Sequence, residues 1–197
     1  MIDINDWTKK LEVEFNLIRQ TNDIARILTL ADVTIAQIDH ARTTPIVTDE
    51  ENVNCLKIIK RIAYNAAADA WPAWDSCTAP RRAAELTQAV KLAERSWACV
   101  QDLKQSPMQQ GNAVWLIGAL YLAQNNRAGA HECFVQAAEY YGQASASAMR
   151  LMAEGYCAIA HNPADLPEIL EKLAGSTEEH SAELSKQLSI AHSIFNA

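Results

Sequence analysis

The sequence predicts an all-α protein, a superhelical stack of antiparallel helical hairpins with about eight to nine helices in one domain of 197 residues. Three observations carry that prediction. Apolar residues recur at three- and four-residue spacing along most of the chain, the period of a helix with one buried face. Gly and Pro number only six each, while alanine, which loses no side-chain entropy on becoming helical, is abundant. Finally, Ile117-Gly118-x-x-Tyr121 followed by Ala130-x-x-x-Phe134-x-x-Ala137 sets small residues where two helices must cross closely and bulky ones where neighbours leave a gap. No segment has the alternation of a half-buried strand.

An N-terminal helix pair occupies residues 1–45. Trp7, Leu11, Phe15 and Ile18, spaced four, four and three apart, share one face of a first helix. Thr21-Asn22-Asp23 caps a second, which carries Ile24, Ile27, Leu28, Val33, Ile35 and Ile38. It ends at Thr43-Thr44-Pro45, because the residue before a proline is pushed out of the helical region. Hairpins then fill residues 49–174. Thr48 and Glu51 have the spacing of a capping box and open a helix with Leu56, Ile59, Ile62, Ala63, Ala66 and Ala70, stopping near Trp71-Pro72.

Residues 72–80 read as a long loop. The next helix carries Leu86, Val90, Ala93 and Trp97 and ends before Gln105-Ser106-Pro107. A central hairpin follows, with helices near 109–124 and 127–141 parted by Asn125-Asn126. A third has helices near 145–160 and 165–174, broken at His161-Asn162-Pro163. Gly175 reads as its C-cap. Ser176-Thr177-Glu178-Glu179 reads as a second capping box, opening a half-polar helix over 176–197 that covers the last hairpin.

The central hairpin resembles the tetratricopeptide-repeat family, whose signature W-x2-L-G-x2-Y, then A-x3-F, spans about 34 residues. Met149-x-x-Met152-Ala153-x-x-Tyr156 echoes its first helix 35 residues after Tyr121, and Tyr64-x-x-Ala67-Ala68-x-x-Trp71 precedes it. Leu86-x-x-x-Val90-x-x-Ala93 parallels Ala130-x-x-x-Phe134-x-x-Ala137. The resemblance covers about residues 60–174, with one good repeat and two degenerate ones. Departures are Val114 in the usual place of tryptophan, Gly142 in that of the closing proline, and Asp165 where a small residue belongs. The resemblance implies a concave groove lined by the first helix of each hairpin. Aligned onto that face are Asn65 and Asp69, then Asn112, Trp115 and Ala119, then Arg150 and Glu154. Asparagine bonds a peptide backbone through both N–H and C=O, tryptophan covers apolar side chains, and arginine takes a carboxylate. With Arg150 the only basic member, that set forms no pair of cationic clamps. The alternative for Trp115 is that it packs beneath the N-terminal helices.

Composition narrows the function. A formal charge of -7 argues against nucleic-acid binding, and the basic residues cluster only at Lys57-x-x-Lys60-Arg61 and Arg81-Arg82. The longest nearly apolar run, residues 113–123, is half of the about 20 residues a membrane span needs. The N-terminus is acidic rather than signal-like, and five scattered cysteines without a C-x-x-C pair suit a reduced cytoplasmic chain. No metal or organic cofactor is called for. His131-Glu132 lacks metal-ligand spacing, Asp39-His40 lacks a third triad member, and no phosphate loop or G-x-S-x-G occurs. Trp71-Pro72-Ala73-Trp74 offers either a docking patch or a seal on the domain's own core.

The expected function is therefore a non-catalytic peptide- or protein-binding module of scaffold, adaptor or chaperone type. The alternative is a helical enzyme or ligand-binding bundle with a pocket between the N-terminal helices and the repeats. An uncovered end hairpin would also allow a homodimer.

Overall fold

In the computed structural model, the described residues are 4–43, 48–74 and 80–196, with side chains from Lys10 onward. They form α1 (Ile4–Thr21), α2 (Ile24–Arg42), α3 (Asp49–Asp69), α4 (Ala83–Asp102), α5 (Pro107–Ala123) and α6 (Arg127–Gln143). There follow α7 (Ser147–His161), a 3-10 turn at Pro163–Asp165, α8 (Leu166–Ala174) and α9 (Ser181–Phe195). Each helix packs on the next, α9 packs on both α7 and α8, and no strand occurs among the described residues. The three-residue links at 124–126 and 144–146 are too short for anything but reversal, so α5, α6 and α7 alternate in direction.

Close crossings depend on bare backbone. A Cβ on Gly118 would stand 2.9 Å from both Cys133 Cβ and Phe134 Cε1, and one on Gly155 would stand 2.6 Å from Leu188 Cδ1. Phe134, Ala130 and Ala137 are fully buried at the α5–α6 crossing, as their spacing foretells. In α1, Phe15 and Ile18 are buried and Leu11 is half-buried, whereas the Trp7 side chain lies outside the described residues.

Helix ends follow the sequence at some places and depart at others. Thr48 Oγ1 accepts from the Glu51 amide while Glu51 accepts from the Thr48 amide, the expected capping box. Asp23 caps α2 and Asn126 caps α6. The box at Ser176–Glu179 does not form. The last helix starts at Ser181, after His180 in the left-handed region, and Glu178 instead accepts from the Ala148 amide at 2.9 Å. Its carboxylate caps α7, whose own N-cap, Ala146, has no side-chain acceptor to give. The carboxyl end of α3 lacks a glycine cap, and distant donors take its orphan carbonyls: Trp74 Nε1 donates to Ala68 O at 2.7 Å, and Arg81 to Asp69 O and Ala70 O. Val33 departs too; at 50% exposure it faces outward from α2.

An aromatic nucleus joins the ends of the stack. Trp71, 1% exposed, lies edge-on to Trp115 (6.4 Å) and Tyr156 (6.2 Å) and stacks on Phe195 of α9 at 5.3 Å. Arg127 holds α9 in that place, donating to Ile159 O at 2.8 Å and to Phe195 O. The loop after α3 and the last helix therefore both close on α5 and α7.

The crossing at Gly118 yields a paired prediction. Gly118→Ala is expected to destabilise the protein by about 1–3 kcal/mol through overpacking, since the atoms it would meet are a backbone-anchored Cβ and a buried ring. Gly142→Ala, with nothing nearer than 3.9 Å, is expected to be neutral or to gain up to about 1 kcal/mol from helix propensity. Denaturant unfolding of both variants checks the contrast.

Candidate functional site

A cleft of about 670 Å³ lies between α3, α4 and the start of α5. One stripe of α3 supplies most of it: Lys57, Lys60, Arg61, Tyr64 and Asn65 recur at helical spacing and face the same way. Gln105, Gln109 and Asn112 close the opposite side, and Ile58, Val100 and Ala113 add apolar wall. Three cations line this cleft and no carboxylate of the described residues does.

The neutral polar groups reinforce that sign. Asn112 Oδ1 accepts from the buried Tyr141 hydroxyl at 2.8 Å, which leaves Asn112 its amide N–H donors for the cleft. Burial pushes the Tyr64 phenol up from its ordinary value, so it stays a protonated donor. Ser96 is turned away, its hydroxyl bound to Lys60 O at 3.2 Å. Lys60 Nζ reaches Gln105 Oε1 at 3.4 Å across the cleft, and Arg61 pairs with Glu12 of α1 at 2.8 Å. Lys57 is exposed and pairs with no acidic side chain among the described residues. Such a surface has donors and positive charge to offer, and a carboxylate or other anion is what satisfies both.

Of the residues aligned onto a groove, this cleft takes only Asn65 and Asn112. Asp69 is half-buried and engaged, its Oδ2 accepting from Arg19 Nε at 2.8 Å, which ties α1 to α3. Desolvation holds the Asp69 carboxyl above the usual carboxylate range although Arg19 opposes it. Arg150 and Glu154 pair with each other at 2.8 Å, beside a separate depression of about 540 Å³ between α6 and α7 with Val135 and Ala138. Ala119 is fully buried.

Trp115 corrects the expectation of an open apolar groove. It is 5% exposed and lies against Trp71, Trp74 and Tyr156, with no hydrogen-bond acceptor for Nε1 among the described residues. Tyr156 meets it edge-to-face at 5.4 Å. The Trp71-Pro72-Ala73-Trp74 segment does the filling: Trp71 and Ala73 are buried, and Trp71 and Trp74 lie against Trp115. What sequence reading missed is Lys57, Lys60 and Arg61. The basic cluster was visible, and its four-residue offset from Asn65 places Arg61 on the same face.

A second groove, about 230 Å³, lies where a pocket between the N-terminal helices and the repeats was expected, lined by Leu11, Glu12 and Phe15 of α1 and by Arg61, Ile62 and Asn65 of α3. Among the described residues no group of three or more His, Cys, Asp or Glu is placed to hold a metal ion. His131 and His161 come together across α6 and α7, ring centres 5.2 Å apart. Asp39, beside His40, is taken by Arg42 and Arg95. In comparisons with known proteins, the chain matches no family model, no curated protein and no solved structure. No helix of the described residues is long and apolar enough to cross a membrane.

Two predictions follow from this packing. Trp115→Ala is expected to cost about 3–5 kcal/mol in denaturant unfolding, the range for emptying a buried aromatic site; an unchanged midpoint would return Trp115 to the surface. Cys133 and Cys157 should resist alkylation, because burial pushes their thiols up to about 11 and about 12. For Cys133, against an ordinary value of 9.0, that cuts the thiolate present at pH 8 roughly a hundredfold. Timed iodoacetamide labelling read by peptide mass spectrometry, native against denatured, checks it.

Proposed function

We propose that the chain is a non-catalytic protein-interaction module of the tetratricopeptide-repeat type that binds an acidic peptide segment of a partner protein in the cleft between α3, α4 and α5. The single observation that carries this reading is the sign of that cleft: Lys57, Lys60 and Arg61 together, with no carboxylate among its described lining residues, on a chain whose formal charge is -7. Cations gathered against the overall balance mark a place where negative charge is received.

Three features support the choice of a peptide. The cleft is an elongated stripe along α3 rather than a closed chamber, which suits an extended chain. Asn65, Asn112, Gln105 and Gln109 supply the amides that a backbone requires, and Ile58 and Val100 give its side chains some apolar contact. The hairpin stack, with small residues at its crossings, is the scaffold on which repeat proteins of this kind present such surfaces. A cytoplasmic location agrees with the free thiols of Cys55, Cys99, Cys133 and Cys157.

Fluorescence anisotropy with a labelled hexaglutamate peptide tests the proposal. The wild-type chain is expected to bind it, with weakening as salt is raised. A Lys57→Ala/Lys60→Ala variant is expected to bind roughly tenfold or more weakly, the loss of charge-assisted contacts, with an unchanged helical circular dichroism spectrum. Binding indifferent to that variant, or a single-stranded oligonucleotide that outcompetes the peptide, would sink the reading.

A further inference from the structure

A cation that lines the cleft is already paired with a carboxylate of the protein itself. Glu12 on α1 pairs with Arg61 at 2.8 Å, both side chains about half-exposed. Arg61 and Asn65 line the cleft on one side and the small groove beneath α1 on the other. One guanidinium is therefore shared between an internal carboxylate and the surface that would receive an external one.

We infer that α1 is a built-in competitor for the cleft: Glu12 occupies Arg61 until a carboxylate of an acidic partner displaces it. The inference rests on the cleft being the binding site.

The way α1 is attached favours release of its middle without loss of the helix. Phe15 and Ile18 are buried, but a groove of about 230 Å³ remains between Leu11, Glu12 and Phe15 on one side and Arg61 and Ile62 on the other. At that point the two helices do not fill the space between them, so little packing is lost when Glu12 moves away. The opposite face of α1 is uncovered, with Val13 59% and Leu17 53% exposed. A solvent-exposed ion pair contributes little net stability, because both partners are already well hydrated when apart. The Arg19–Asp69 pair, nearer the end of α1 that continues into α2, is half-buried and holds independently of Glu12. The helix would thus loosen from its Glu12 side while its Arg19 side stays tied.

The exchange is one carboxylate for another at the same guanidinium, so it selects for ligand charge. A neutral peptide gains nothing by displacing Glu12. A peptide with several carboxylates can engage Lys57 and Lys60 first and then compete at Arg61, where its local concentration is already high.

The test uses the full chain, the labelled hexaglutamate peptide, and two variants on the same helix. Glu12→Gln removes the competitor; Glu14→Gln removes an equal charge from an exposed position with no part in the Arg61 pair. Glu12→Gln is expected to bind the peptide about two- to fivefold more tightly than wild type, the fold-change equivalent of one exposed ion pair, and Glu14→Gln to stay close to wild type. Saturating peptide is expected to speed amide hydrogen exchange over residues 10–18 of wild type, and to leave Glu12→Gln, where those amides are already loosened, unchanged. Should both variants bind alike and α1 exchange not respond, while Lys57→Ala/Lys60→Ala still weakens binding, the competitor is overturned and the cleft stands. Loss of all dependence on Lys57 and Lys60 would overturn the cleft, and the competitor with it.

Discussion

The contact on which the architecture depends is the aromatic nucleus of Trp71, Trp115, Tyr156 and Phe195. A stack of hairpins joined only neighbour to neighbour is open along its inner face, and each crossing stabilises nothing beyond the next. Here Trp71, at the end of α3, reaches Trp115 of α5, Tyr156 of α7 and Phe195 of α9, so residues more than a hundred positions apart meet in one buried cluster. Arg127 secures the arrangement by taking carbonyls from α7 and α9 together. An inner face that would otherwise stay open becomes core at this end.

That closure decides which part of the inner face stays open. With the aromatic end filled, a cleft of about 670 Å³ stays open along the middle of α3, where the side chains are Lys57, Lys60, Arg61 and Asn65. The aromatic residues at this end are used for folding, while Lys57, Lys60 and Arg61 line an open cleft. The same division explains the two fates of the aligned residues: those near the nucleus, Trp115 and Ala119, are buried, and those at the cleft, Asn65 and Asn112, keep polar groups in reach of solvent.

Much of the fold was legible because helices announce themselves locally. Thr48 and Glu51 make their capping box, Asp23 and Asn126 cap where expected, and the Gly118, Ala130, Phe134 and Ala137 spacing meets at a crossing of the expected kind. The Ser176–Glu179 segment shows the limit. It has the letters of a capping box, yet Glu178 reaches across to the amide of Ala148, since an uncapped helix nearby offers the same donors as the helix that follows. Val33 shows a second limit: periodicity finds a wide apolar stripe, and only the neighbours decide how much of it they cover.

By itself the sequence determined the helical class, most helix boundaries, the small residues at crossings and the acidic balance of the whole, because each of these is set by residues within a turn or two of one another. The tertiary structure alone decided that Trp115 is core, that Asp69 ties α1 to α3, that Arg150 and Glu154 stand apart, and that the Lys57, Lys60 and Arg61 cluster faces Asn112 across a cleft. Helical spacing specifies which side chains share a face. Whether that face meets water or protein depends on what a distant loop and the last helix bring against it, and no local pattern records that.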